Sequence, residues 1–159
     1  MAEIRTNTYE AMFLLGQAQA ADLGGAVAHI REVLGKAGAT IVAMRKWDER
    51  RLAFEIQKQK RGVYILVYFT CNARNLAQIE RSFNLSERVL RHLIIRADHL
   101  TPEEIQAADS QKELEVEARL RAERAVGRPE DGTAPAGPPM GAASGAGAAT
   151  APHTSDLPA

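Results

Sequence analysis

Basic side chains are concentrated in one short stretch, between Arg45 and Arg61, where the only acidic residues are Asp48, Glu49 and Glu55. Local concentration of one sign of charge suits a polyanion, and arginine can contact a phosphate through two parallel hydrogen bonds. The seven basic residues are Arg45, Lys46, Arg50, Arg51, Lys58, Lys60 and Arg61. The five from Arg50 onward are predicted to gather at one loop and its flanking strand ends. A solvated strand and turn is the alternative interpretation, but the cations would then repel one another without a polyanion to neutralise them.

The run KRGVYILVYF, residues 60–69, has the order of an RNA-stacking strand, with basic residues, a glycine and alternating aromatic and aliphatic side chains. In RNA-recognition motifs, alternate residues after the basic one carry rings on the open face of the sheet. Here those positions hold Val63 and Ile65, and the rings of Tyr64 and Tyr68 point the other way. The sequence therefore does not predict base stacking by this strand.

The same strand is apolar on both of its faces. In a sheet that carries helices on one face only, the other face is normally more polar. An apolar open face therefore predicts cover by a partner protein or by a long connector.

The residues that usually perform catalysis or bind metals are scattered. The four histidines, which share no metal-ligand spacing with each other or with Cys71, are His29, His92, His99 and His153. The pair Gly24-Gly25 lacks the Lys-Ser/Thr that follows in a phosphate loop. The sequence predicts neither an enzyme nor a bound metal, cofactor or small-molecule substrate.

A regular order of elements positions these residues. Apolar periods of two and of three to four residues indicate strands and helices respectively. The predicted elements are a strand at 8–15, a helix at 22–38, strand segments at 40–47 and 51–57, a turn at 57–62, a strand at 63–69, a helix at 72–83 and a strand at 87–96. The order β-α-β-β-α-β predicts an α+β, ferredoxin-like sandwich, a four-stranded antiparallel sheet with two helices on one face.

Composition divides the chain into three parts. Residues 1–100, the predicted domain, hold 15 Lys and Arg against 10 Asp and Glu, whereas residues 101–159 hold 5 against 10. Residues 101–126 begin with the capping box Thr101-Pro102-Glu103-Glu104 and have a weak apolar stripe, which predicts a charged, solvated helix. Residues 127–159 contain six of the seven prolines and six of the twelve glycines, which predicts a disordered tail.

The bulk composition predicts a cytoplasmic protein. No apolar run approaches the roughly 18 residues of a membrane helix, and the N-terminal residues lack an apolar secretory segment. A single cysteine excludes an internal disulfide and fits a reducing compartment.

Three motifs together resemble a known family: Tyr9-Glu10, the run WDERRLAFEI from Trp47 to Ile56 followed by Lys58, and GVYIL from Gly62. The chain resembles ribosomal protein six of the bacterial small subunit over about residues 6 to 100. That family carries Trp-Gly-x-Arg-x-Leu-Ala-Tyr-Pro-Ile, then Lys and later Tyr. The positions that match in register are Trp47, Arg50, Leu52, Ala53, Ile56, Lys58 and Tyr64, and the last strand, with Val89, Arg91, Ile94 and Arg96, is similar as well.

The chain departs from the family motif at three positions. Asp48 stands where the family has Gly, Phe54 where it has Tyr, and Glu55 where it has Pro. Aspartate is among the better substitutes for a glycine with positive φ. Phe54 keeps the ring without the hydroxyl, and Glu55 adds a negative charge among the basic residues.

The resemblance implies a structural constituent of the small ribosomal subunit in the cytoplasm. It would bind the central domain of 16S ribosomal RNA together with ribosomal protein eighteen. The implied RNA-binding residues, which would position the protein on RNA without reading bases, are Arg50, Arg51, Lys58, Lys60, Arg61 and Arg91. The residues expected to have structural roles are Tyr9, Glu10, Trp47, Leu52, Ala53, Ile56 and Tyr64. The alternatives are a free-standing RNA-binding regulator or a small-molecule-binding module on the same fold.

Overall fold

The computed structural model describes residues 5–127. The strands are β1 (Thr6–Leu15), β2 (Thr40–Ile56), β3 (Gln59–Asn72) and β4 (Arg91–Arg96). The helices are α1 (Gln17–Ala21), α2 (Leu23–Lys36), α3 (Leu76–Asn84), α4 (Pro102–Ala107) and α5 (Gln111–Val126), and a 3₁₀ turn at Ala73–Asn75 precedes α3. The predicted tail at 127–159 lies, apart from Gly127, outside the described residues.

The four strands form one antiparallel sheet in the order β2-β3-β1-β4. Central β1 pairs with β3 from Thr6 opposite Asn72 to Leu15 opposite Val63, and with β4 on its other side. The strand order and the two β-α-β halves are those of a ferredoxin-like sandwich, so the predicted fold class is confirmed.

Strand alternation places the core between the sheet and α2, α3 and α5. In β1 the odd-numbered residues from Tyr9 to Leu15 are buried against the helices, as are the odd-numbered residues of β3 from Val63 to Cys71. The Phe13 and Phe83 ring centroids are 4.5 Å apart, which fixes α3 on this face. We call it the helix face, and the opposite side the open face.

Local signals define several element ends. The Asp22 side chain accepts a hydrogen bond from the Gly25 N–H at 3.2 Å and caps α2. Gly38 follows α2 with φ of +70°, a conformation that glycine adopts without strain. The Asn72 side chain accepts from the Arg74 N–H and caps the 3₁₀ turn that leads into α3.

The strands β2 and β3 differ from the predicted segments. The two segments of β2 are one strand of 17 residues, with irregular register near Val42, near Trp47 and between Arg51 and Ile56. The predicted turn at 57–62 is wrong in extent, because only Gln57 and Lys58 form it, with φ of 47° and 64°. Positive φ at both central residues is the two-residue hairpin turn that matches strand twist, so pairing resumes at once with Gln59.

The predicted start of β4 at residue 87 is also wrong. The strand begins at Arg91, which pairs with Leu14 near the end of β1. Because β1 ends at Leu15 and the chain turns into α1, residues before Leu90 have no strand to pair with. The short helix α1 was not predicted, since five residues cannot show a helical period.

The C-terminal segment is not one solvated helix. It forms two helices, α4 and α5, that lie within the same compact unit as the sheet. Ile105 of α4 packs on the open face with Ala43, Leu66 and Tyr68, whereas Leu114 of α5 joins the helix-face core. The two predicted domain helices, α2 and α3, lie on one face as predicted, and α4 lies on the other face.

Candidate nucleic-acid interface

The extended hairpin formed by the end of β2 and the start of β3 carries most of the predicted RNA-binding residues. We call residues 50–62 the basic hairpin. Arg50 lies opposite Gly62, and Arg51 lies opposite Arg61. Lys58 is in the turn at its tip, and Lys60 is the second residue of the return strand β3. All five cations are exposed, so five of the six predicted residues share one projecting arm.

The charges on this hairpin are unfavourable for the isolated chain. Arg51 and Arg61 are directly opposite on adjacent strands, an arrangement that destabilises a sheet when the charges are alike. Within residues 5–127, neither of them nor Lys58 or Lys60 forms an ion pair. These four side chains are free to contact an external polyanion.

Arg50 differs from the other hairpin cations because it has partners within the chain. Its Nε donates to Asp48 Oδ2 at 2.6 Å, and its guanidinium carbon lies 5.1 Å from the centre of the Trp47 ring. The hydrogen bond from Arg50 lowers the pKa of Asp48. Asp48, a departure from the family motif, thus holds Arg50 across the indole.

Arg91 lies on β4, the edge strand at the opposite end of the sheet from β2. The register places Asp48, Tyr64, Leu14 and Arg91 in one row across β2, β3, β1 and β4. Three strand spacings separate the ends of this row, about 14 Å. Arg91 shares the open face with Tyr64 but does not join the hairpin cluster.

The residues predicted to be structural occupy mixed environments. Tyr9 and Leu52 are buried, and the Tyr9 ring stacks on Phe69 with centroids 5.6 Å apart. Glu10 and Ile56 are half-buried, whereas Ala53 is exposed. Burial and then the neighbouring Glu10 carboxylate raise the pKa of Tyr68 to about 12. Glu10 thus lies on the open face beside Tyr68.

Trp47 is 44% exposed and lies on the open face rather than in the core. Its ring meets Tyr64 edge-on with centroids 5.7 Å apart, and Arg50 covers one indole face. Trp47 therefore packs across the β2–β3 pair. Phe54, another departure from the family motif, is 71% exposed on the hairpin.

A charge network between β2 and α5 was missed by the sequence analysis. Lys46 Nζ lies 2.9 Å from Glu49 Oε2 and 2.7 Å from Glu117 Oε1. Arg121 is 2.6 Å from both carboxylates and also donates to the Ala20 carbonyl oxygen at 2.9 Å. The partners are up to 101 residues apart in sequence, so no local pattern signals them.

Hydrogen bonding dominates the electrostatics of this network. Burial alone would lower the pKa of Lys46, but hydrogen bonds to Glu117 and Glu49 outweigh it and raise that pKa. Burial opposes the charged form of Glu117 as well, yet the bonds from Lys46 and Arg121 lower its pKa. All of these groups are therefore held charged and paired.

The open face is covered over only part of its area. Its Ala43, Leu66 and Tyr68 lie beneath α4, so the C-terminal segment covers this part. Near β4 the side chains of Leu93 and Ile95 are 62% and 43% exposed. With half-buried Met12, which lies opposite Leu93 in register, they form an apolar strip available to a partner.

Two further observations concern residues 5–127. No set of three or more histidine, cysteine, aspartate or glutamate side chains in this range is placed to hold a metal ion. No helix in it is long and apolar enough to cross a membrane.

Comparisons with known proteins agree on one family. The model of the family described as Ribosomal protein S6 matches residues 8–96, which include the sheet and α1 to α3 but neither α4 nor α5. The small ribosomal subunit protein bS6 of Rhodopirellula baltica is 38% identical over 95 residues, which are 59% of this chain and 68% of that protein. The Porphyromonas gingivalis bS6 is 38% identical over 98 residues, 61% of this chain and 84% of that protein.

A solved structure shows the same fold. The crystal structure of 30S ribosomal protein S6 from Thermotoga maritima superposes with a TM-score of 0.56 and 23% identity. The superposition covers 65% of this chain and 98% of that one. The shared fold therefore accounts for nearly all of the Thermotoga protein and leaves about a third of this chain unmatched.

Proposed function

The chain belongs to the ribosomal protein S6 family, and from this premise we propose that it is a structural constituent of the small ribosomal subunit. In this role it binds the central domain of 16S ribosomal RNA together with ribosomal protein eighteen, in the cytoplasm and without catalysing a reaction. The observation that carries the proposal is the coincidence of the family motif with the basic hairpin. Arg50 and Lys58 belong to both, and Trp47 of the motif lies against Arg50.

The basic hairpin is the proposed RNA contact. Four exposed cations without ion-pair partners in the described part of the chain, Arg51, Lys58, Lys60 and Arg61, lie on one arm. Neutralising them by phosphates releases counterions and removes the repulsion between Arg51 and Arg61. Contacts of this kind position a protein on folded RNA and carry little sequence information.

Arg50 and Arg91 have separate roles in this proposal. Arg50 is held by Asp48 and Trp47, so it contacts RNA in a fixed orientation at the base of the hairpin. Arg91 lies about 14 Å from that base across the open face. Because of this distance, Arg91 would contact a phosphate group other than those bound by the hairpin. RNA would therefore approach the sheet at two points.

The apolar strip of Met12, Leu93 and Ile95 is the proposed contact for ribosomal protein eighteen. Exposed apolar side chains that adjoin one another mark protein–protein contacts when a polar rim surrounds them. The rim here is supplied by Arg91 on the same edge strand and by Glu10, which pairs with Ile95 on the open face. The rest of the open face is occupied by α4.

Binding of the full chain to a 16S central-domain fragment, with and without purified ribosomal protein eighteen, tests the proposal. We expect the two proteins together to bind at least about tenfold more tightly than this chain alone, a coupling of about 1.4 kcal/mol. Leu93→Asp should abolish that gain because it places a charge in the apolar strip. Leu85→Asp is the matched control, since Leu85 is also exposed, at 75% against 62% for Leu93, but lies after α3.

Two results would contradict the proposal. Equal affinity with and without ribosomal protein eighteen would remove the partnership. Equal affinity for a 16S fragment that lacks the central domain would indicate a free-standing RNA-binding protein instead.

A further inference from the structure

The chain wraps around the β2 edge of the sheet after it leaves β4. We call residues 101–126 the C-terminal strap. Its helix α4 crosses the open face with Ile105 on Leu66 and Tyr68. Its helix α5 lies on the opposite face, where Leu114 joins the core with α2. The short connection between these helices must therefore pass the outer edge of β2.

Hydrogen bonds fasten the strap to that edge. The Met44 N–H donates to Asp109 Oδ1 at 2.9 Å, and the Ser110 N–H donates to the Met44 carbonyl oxygen at 3.1 Å. Both outward-facing backbone groups of Met44 are thus satisfied by the chain itself. An edge strand otherwise offers such groups to another molecule.

The strap also neutralises the cation next to that edge. Lys46 is opposite Ile65 in register, so its side chain leaves the sheet on the helix face beside α5. There Glu117 and Glu49 bind its Nζ, and only about a quarter of the side chain is exposed. Arg121 holds both carboxylates in place and is itself anchored on the Ala20 carbonyl oxygen.

Four cations of the basic hairpin, in contrast to Lys46, are not neutralised by acidic side chains of the described part of the chain. Arg51 faces Arg61 without an acidic partner in the described part of the chain, and Lys58 and Lys60 are likewise unpaired there. The transition occurs at the register irregularity between Lys46 and Asp48. On β2, therefore, Lys46 is neutralised beneath the strap and Arg51 beyond it is not, while the half-buried Arg45 forms no ion pair within residues 5–127.

We propose that the C-terminal strap sets the inner limit of the RNA-binding surface. It withdraws Lys46 from phosphate and closes the β2 edge at Met44, so that RNA contact on β2 begins at Arg50. This inference rests on the proposed RNA-binding function and adds a role for residues that the family match does not include. The acidic strap thereby restricts RNA contact to one part of β2.

A double-mutant cycle between Lys46 and Glu117 tests this role, with the 16S central-domain fragment and ribosomal protein eighteen as the probe. Lys46→Met should leave the salt dependence of binding unchanged, whereas Lys60→Met should flatten the log–log slope by about 0.7 to 0.9. Glu117→Gln partly releases Lys46, because Glu49 is then shared with Arg121. We expect it to raise affinity about threefold to fourfold at 0.15 M salt, the effect of one additional phosphate contact.

The double variant and a charge-matched control complete the experiment. Adding Lys46→Met to Glu117→Gln should return the affinity to that of the unsubstituted chain. Glu123→Gln removes the same charge from an exposed position of α5, where Glu123 pairs within residues 5–127 only with Arg119, and should change affinity little.

The outcomes distinguish this inference from the proposed function. If Lys46→Met flattens the salt slope of RNA binding as much as Lys60→Met does, RNA contacts Lys46 and the inference is overturned. Equal changes in RNA affinity for Glu117→Gln and Glu123→Gln would also overturn it. Failure of the unsubstituted chain to bind the probe would overturn the proposed function itself.

Discussion

Replacing Arg51, Lys58, Lys60 and Arg61 together by methionine is expected to weaken binding to the 16S central domain roughly 10²-fold at 0.15 M salt. If each cation neutralises one phosphate, each contributes about 0.7 to the slope of log affinity against log salt concentration. At 0.15 M salt each contact then changes the affinity about threefold to fourfold, and four such factors give roughly 10²-fold. The slope itself should become shallower by about 3. Binding titrations at four or more salt concentrations give both quantities.

Loss of the hairpin charges should not cost folding stability. Removing both members of the opposed Arg51–Arg61 pair relieves repulsion between adjacent strands. Unfolding of the variant by urea should therefore show a midpoint equal to or above that of the unsubstituted chain. This result would separate a binding defect from a folding defect.

Exposed cations elsewhere provide the matched control. Arg74, Arg81, Lys112 and Arg124 are exposed on helices or in the 3₁₀ turn, and none forms an ion pair within residues 5–127. Replacing these four by methionine makes the same change in net charge. An equal loss of RNA affinity in this variant would show that overall charge, and not the hairpin, determines binding.

Leu114→Ala is expected to lower the free energy of unfolding by about 2 to 4 kcal/mol. Leu114 is 2% exposed and packs in the helix-face core with α2, so truncation leaves a cavity in addition to the lost apolar burial. Urea denaturation followed by far-ultraviolet circular dichroism measures the change. A loss of this size requires α5 to be an integral part of the domain.

Leu120→Ala is the control in the same helix. Leu120 is 44% exposed, so the identical substitution should cost well under 1 kcal/mol. If Leu114→Ala were as mild as Leu120→Ala, α5 would not be packed on the sheet in solution. The strap could then neither cover β2 nor withdraw Lys46 from RNA.

The sheet and the helices α2 and α3 could be predicted because their signals are local. Alternating side chains in β3 and the three-to-four-residue spacing of Val27, Ile30 and Leu34 define strand and helix directly. The same alternation indicated that the open face is apolar. It left a partner protein or a connector as the cover, and α4 covers the part around Leu66 and Tyr68.

The strap could not be predicted because its anchors are isolated in sequence. Ile105 and Leu114 are buried on opposite faces of the sheet, so neither contributes to an apolar stripe on one helix. Asp109 and Glu117 are recognisable as anchors only when Met44 and Lys46 are known to lie beside them. Tertiary packing overrides the solvated-helix pattern in such a segment.

The candidate site was predicted in composition but not in arrangement. The hairpin cations are close in sequence and close in space, since one two-residue turn joins their strands. Arg91 is separated from them by a sheet register that sequence alone does not give. Trp47 is likewise placed on the open face by the register irregularity beside it.

Co-sedimentation with small ribosomal subunits tests the proposed function most directly. In a sucrose gradient at moderate salt, we expect the full chain to migrate with the small subunit, and the variant lacking Arg51, Lys58, Lys60 and Arg61 to be depleted from it. Recovery of the unsubstituted chain only at the top of a gradient that contains intact small subunits would contradict a role as a subunit constituent.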